Sequence, residues 1–270
     1  MPSALSRALR PVSILFAAAW GSLAMAAPAP QYDGAATAGI AQLRHGDRLL
    51  DVLDCRGCHG QRLTGWRMIN QPGETGVIWA SNLTQVTPGM RADTLRTLLT
   101  KGTHPTRGDL WVMPAPIYQR LSPLDLNAII AYLRQLKPAG QPSPPPALGP
   151  KARTGSKPLM PSATLVAAAR ASMPVDLGQR HAKGRYIAMT ACAVCHGFDL
   201  GGIDGMGPDL AVAAAYDRQQ FETLMTSGIG VGGRKIAWLM ATAAKENAAR
   251  LTVTERDALY SYLIARANQP

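Results

Sequence analysis

The sequence predicts an all-α fold of two small helical domains joined by a Pro-rich linker. Three observations predict it. A Cys-x-x-Cys-His segment occurs twice, at Cys55-Arg56-Gly57-Cys58-His59 and Cys192-Ala193-Val194-Cys195-His196, and the two copies consume all 4 cysteines. A set of helical patterns accompanies each copy in the same order. Residues 138–177, between the copies, are rich in Pro, Ala and Gly, and Pro144-Pro145-Pro146 favours an extended chain. No stretch shows a convincing strand alternation.

Residues 1–26 read as an export signal. Arg7 and Arg10 give a positive start, Val12 to Ala19 an apolar core, and Ala24-Met25-Ala26 a small-residue cleavage site. The apolar run is short for a membrane span, so membrane association is expected only through partners or an uncleaved signal. The first domain then covers 27–137. Gly46 to Asp54 forms a helix running into the first motif, Ala92 to Lys101 a second helix stopped by Gly102, and Ser122 to Leu136 a closing helix. Ser122-Pro123 supplies a cap and a first-turn proline. Leu126, Ile129, Ile130 and Leu133 give that helix its apolar face. The second domain covers 178–270 and repeats the plan. Lys183 to Ala191 leads into the motif, Arg218 to Ser227 ends at Gly228, and Thr252 to Arg266 opens on a capping box, Thr252-Val253-Thr254-Glu255. Within the linker, Leu165 to Arg170 has room for a turn or two of helix. Trp66 to Thr84 is an insertion peculiar to the first domain, expected as a loop.

The duplicated motif carries the chemistry. Two cysteine thiols at this spacing add to the vinyl groups of a porphyrin, and the histidine that follows lies under the iron as its proximal ligand. Two motifs therefore predict two covalently bound c-type haems, attached through Cys55 and Cys58 and through Cys192 and Cys195, with His59 and His196 on the irons. Structural zinc wants four clustered ligands, and a thioredoxin-type redox pair needs no following histidine. The proximal ring usually gives its second N–H to an oxygen acceptor. Pro208 offers such a carbonyl in the second domain, and Ser81-Asn82-Leu83 is the counterpart in the first.

Function depends on the far side of each iron, where an open position permits substrate chemistry and a filled one gives an electron-transfer centre. The chain has 11 methionines, most of them expected as core fillers. The repeat singles out two. Trp111-Val112-Met113 follows Gly102, and Trp238-Leu239-Met240 follows Gly228. Met113 and Met240 are the expected sixth ligands, with Met225 as the alternative to Met240 and His104 as the alternative to Met113. Met206 lies too soon after His196 to cross the ring. Pro114 stiffens the first ligand loop, and the second loop has no such proline. His45 and His181 are expected as solvent-exposed or capping residues. Trp79, Arg62, Arg67 and Arg91 are candidates for propionate binding.

These residues resemble class I c-type cytochromes over about 40–137 and 178–268, so each domain is expected to be cytochrome c-like and to enclose its haem. Ala80-Ser81-Asn82-Leu83-Thr84, Met113-Pro114-Ala115-Pro116 with Tyr118, and Leu121 to Leu126 leading to Ala131-Tyr132-Leu133 resemble the cytochrome c subunits of periplasmic alcohol and sugar-acid dehydrogenases. The resemblance implies iron ligation by His59 with Met113 and by His196 with Met240. It also implies a periplasmic protein that is not an enzyme itself. Its partners are then redox proteins: a dehydrogenase as donor, and a cytochrome or oxidase as acceptor. A dihaem peroxidase with one open iron is the alternative, disfavoured by a methionine candidate for each iron.

Formal net charge is +11. No Lys/Arg run, zinc finger or RNA-binding signature is present, so nucleic acid is not the expected partner. A basic surface instead steers encounters with an acidic redox partner. Raising the salt concentration should slow stopped-flow reduction by such a partner, because screening weakens the steering. A rate indifferent to salt would remove charge from the docking account.

Overall fold

The computed structural model describes residues 29–154 and 159–269. The expected export signal at 1–26 lies outside them. In the N-terminal unit, α1 (Gly39–Val52) leads into α2 (Cys55–His59), which holds the first motif. A hairpin of β1 (Trp66–Gln71) and β2 (Gly76–Ala80) follows, then α3 (Leu83–Val86) and α4 (Ala92–Lys101). The ribbon of β3 (Thr103–His104) and β4 (Gly108–Asp109) precedes α5 (Ala115–Tyr118) and the closing α6 (Pro123–Arg134). The connecting segment contains β5 (Ala147–Leu148), α7 (Lys151–Thr154) and α8 (Ser162–Ala171). In the C-terminal unit, α9 (Ala182–Ile187) continues through a π-helical stretch, Ala188–Cys192, into α10 (Ala193–His196). There follow α11 (Arg218–Ser227), α12 (Trp238–Glu246) and the closing α13 (Val253–Ala267). Among the described residues no helix is long and apolar enough to cross a membrane.

Local chemistry sets the helix ends. α4 and α11 stop where Gly102 and Gly228 turn left-handed, with φ of 68° and 66°. The Ser122 hydroxyl accepts from the Asp125 N–H at the start of α6. α13 opens on a complete capping box between Thr252 and Glu255.

In each unit the first helix packs across the closing helix, α1 on α6 and α9 on α13. A glycine stands at both crossings. A Cβ on Gly46 would lie 2.2 Å from the Ala128 carbonyl oxygen, and one on Gly184 would lie 2.0 Å from that of Ala258. Tyr132 and Tyr262 pack beside these points. Gly46, Ala128 and Tyr132 are thus the structural counterparts of Gly184, Ala258 and Tyr262. The crossing glycine stands nine residues before the first cysteine in one unit and eight in the other. The N-terminal unit breaks its helix at Leu53-Asp54, where Asp54 is left-handed. The C-terminal unit stays helical through its π turn.

The 66–84 insertion is a hairpin rather than the expected loop. Trp66 pairs with Ala80 and Gln71 with Gly76, with a bulge between Arg67 and Ile69. Pro72-Gly73 begins the turn, and β5 adds a third strand beside β2. β2 alternates in burial, but β1 is exposed at both ends, so period two shows on only one strand.

The 138–177 segment is folded onto the N-terminal unit. Asn82 Nδ2 donates to the carbonyls of Ala139 and Gln141, at 2.7 and 2.9 Å. Ser143 donates to the Ala80 carbonyl, and α8 packs against α5.

Gly184→Ala should destabilise the protein by about 1–3 kcal/mol through overpacking, although alanine favours a helix interior over glycine by about 1 kcal/mol. Chemical denaturation measures the difference. A variant as stable as the parent would contradict the backbone contact.

Candidate functional site

None of the four cysteines is paired in a disulfide. Burial pushes Cys55 up to about 12 and Cys192 up to about 12. Burial and then the Asp54 charge push Cys58 up to about 11, and they raise Cys195 in the same order. A thiol-exchange site needs the opposite, a depressed thiol. Among the described residues no group of three or more His, Cys, Asp or Glu is arranged to hold a metal ion.

The two histidines share one geometry. His59 Nδ1 lies 2.8 Å from the Ser81 carbonyl oxygen, and His196 Nδ1 lies 2.7 Å from that of Pro208. A carbonyl oxygen only accepts, so each ring carries its proton on Nδ1. Nε2 is then the nitrogen with a free lone pair. Burial lowers both imidazole pKa values, and the bond to the carbonyl opposes it in part. Both rings are therefore neutral near pH 7, as a metal ligand must be.

A shared loop brings the carbonyls into place, and sequence reasoning missed it. His59-Gly60-x-x-Leu63-x-Gly65 matches His196-Gly197-x-x-Leu200-x-Gly202. Leu63 and Leu200 both hold positive φ, 58° and 68°, and both are buried. That conformation is uncommon for a non-glycine side chain. In both units the leucine carbonyl accepts from the segment that carries the proximal oxygen, from Leu83 N in one and Leu210 N in the other. The signal was present in the sequence as the repeated Gly-x-x-Leu-x-Gly. A Cβ at Gly207 would come within 2.5 Å of the Cys195 carbonyl oxygen, so glycine there lets Pro208 reach the histidine.

In the C-terminal unit Cys192, Cys195 and His196 line a cavity of about 450 Å³. Its walls are mostly apolar, with Leu210, Phe221, Leu224 and Leu263 among them. Met240, Met225 and Met206 all line it. Met225 is only 6% exposed and packs in the core on α11. Met240 sits in the first turn of α12 rather than in an open loop, half-buried against the core. Trp238, beside it, is 77% exposed.

Met113 does lie in a loop, and that loop is braced. Val112 takes φ of 65°, an outlier for a β-branched residue. Pro114 follows in a tight turn, and the Met113 carbonyl accepts from Ala115 N at 2.8 Å and Ser162 Oγ at 2.7 Å. α5 then connects this loop to the first motif, because Tyr118 OH lies 4.0 Å from Cys55 Sγ.

The remaining candidates take structural roles. His104 Nδ1 accepts from the Thr106 and Arg107 N–H groups, which commits its lone pair to a turn. His45 is buried at 4% exposure, with Nε2 2.6 Å from Asp125. That corrects its expected place in solvent, and the cause is an acid on the neighbouring helix that the sequence does not pair with it. His181 approaches Ser261. Arg67 stacks over the Trp79 ring at 5.6 Å, Arg91 pairs loosely with Asp93, and Arg62 is exposed.

A Cys-x-x-Cys-His turn, with a neutral imidazole beside an apolar cavity bearing thioethers, defines a site suited to a covalently attached haem. Residues 181–265 match the family model of cytochrome c. The C-terminal unit is thus a cytochrome c domain, which implies a covalent c-type haem with iron and an electron-carrying role. No curated protein matches the chain.

Proposed function

We propose that the protein is a dihaem electron-transfer cytochrome. It works in the periplasm, taking electrons from a dehydrogenase and passing them to a cytochrome or oxidase. The supporting observation is the repeat of one histidine geometry. His59 in the N-terminal unit meets a backbone carbonyl as His196 does in the unit that matches the family.

Cys55 and Cys58 would hold one haem and Cys192 and Cys195 the other. His59 with Met113, and His196 with Met240, would ligate the two irons. Bound haem supplies a reversible ferric–ferrous couple. The Ser81 and Pro208 carbonyls fix the imidazole tautomers and raise the basicity of Nε2. A thioether is a soft ligand and favours the ferrous state, which raises the potential. The apolar wall of Leu210, Phe221 and Leu224 limits water and holds the potential apart from its aqueous value. The side chains so placed would bind, orient and insulate the group.

Met240→Ala should abolish the methionine-to-iron charge-transfer band of one haem and lower its potential, read by spectroscopic redox titration. An unchanged spectrum would move the ligand to Met225. A high-spin haem with peroxide turnover in the parent protein would replace the carrier reading with the peroxidase one.

A further inference from the structure

The two units are joined by a reciprocal pair of buried carboxylates. Asp125 is the third residue after the Ser122 cap of α6, and Glu255 is the third after the Thr252 cap of α13. Both are fully buried, at 0% exposure. Each receives a side chain from the opposite unit, two residues beyond that unit's crossing glycine. Tyr186 OH donates to Asp125 at 2.6 Å. Arg48 donates to both oxygens of Glu255, at 2.8 and 3.0 Å. The contacts are equivalent in position although the partners differ in chemistry.

A strap before α1 bridges the pair. The Tyr32 N–H donates to Asp125 at 3.1 Å, and the Asp33 N–H donates to Glu255 at 2.7 Å. Arg48 also donates to the Asp33 carbonyl, and Lys183 pairs with the Asp33 carboxylate. The Tyr32 ring tilts against Tyr186 with centroids 5.3 Å apart.

The same junction reaches both attachment motifs. Thr190, two residues before Cys192, donates to the Tyr186 carbonyl and so accepts from Tyr32 OH at 2.8 Å. Asn247 of the C-terminal unit donates to the Asp51 carbonyl at 2.6 Å and to Asp54 at 3.0 Å, immediately before Cys55. Arg120, just after α5, donates to the Phe198 carbonyl at 3.1 Å, two residues after His196. Each motif is therefore held by groups from outside its own unit. Directional polar contacts to buried carboxylates such as Asp125 and Glu255 favour one arrangement, where an apolar interface tolerates sliding.

We propose that Asp125 and Glu255, with the Tyr32-Asp33 strap, are positioning residues that fix the two attachment motifs at one separation for electron transfer between the haems. The inference rests on the dihaem reading above. In that step one haem iron is oxidised as the other is reduced, and no further reactant is needed. Electron transfer is sensitive to distance, so a loosened junction slows it without altering either haem.

The test uses the haem-loaded protein in two forms. The double variant Arg48→Met/Glu255→Gln removes a buried charge together with its partner, so neither is stranded. The milder double variant Tyr32→Phe/Asp33→Asn weakens the strap. Electron equilibration between the haems after flash reduction is followed with haem content and the two midpoint potentials. The expected result is a several-fold slower equilibration with haem content and potentials unchanged, larger in the first variant. An unchanged rate in both variants would overturn the proposal. If the first variant loses haem, the strap variant decides alone, and an unchanged rate there overturns it. A parent protein with one haem, or with no equilibration, would sink the dihaem reading instead.

Discussion

The backbone contact at each helix crossing is the constraint on which the other features depend. Gly46 against Ala128, and Gly184 against Ala258, let the first and closing helices of each unit touch with no side chain between them. That contact fixes where the helix points as it enters the Cys-x-x-Cys-His turn. Cysteines and histidine are only useful together if one turn presents them to one ring face. The glycine costs helix propensity in both units, and the packing it permits offsets that cost. From the same crossing, the second residue along becomes Arg48 or Tyr186, and these are the side chains that meet the opposite unit's cap carboxylate.

Cap chemistry therefore has two tasks. Asp125 and Glu255 sit where an acid stabilises a helix start, near the N–H groups left unpaired by the first turn. Both also lie in the junction, where burial would be costly without a full set of donors. Asp125 receives Tyr32, His45, Ser122 and Tyr186; Glu255 receives Asp33, Arg48 and Thr252. Among the described residues His45 Nδ1 has no hydrogen-bond partner.

Helices were legible in the sequence because their signals are local. Gly102 and Gly228 marked two ends, and Ser122 and Thr252 marked two starts, all at the observed positions. The hairpin at 66–80 was less legible, since β1 is exposed at its ends and shows no alternation. The chemistry of an imidazole ligand pointed to the Pro208 carbonyl and, in the first unit, to the segment Ser81-Asn82-Leu83, within which Ser81 supplies the oxygen. The left-handed leucines, Leu63 and Leu200, were not. Their signal is a repeat of spacing, and nothing in a leucine side chain announces positive φ. Least legible was the junction. A buried Asp125 reads as an ordinary cap until Tyr186, 61 residues away, is seen beside it.

Two haems on one chain is the central claim, and only the second attachment segment lies within the span that matches the cytochrome c family. The most direct measurement is the intact mass of the denatured protein with its attached groups, followed by peptide mapping. The account predicts two haem increments, one on the peptide bearing Cys55 and Cys58 and one on that bearing Cys192 and Cys195. A single increment, with Cys55 and Cys58 unmodified, would contradict it.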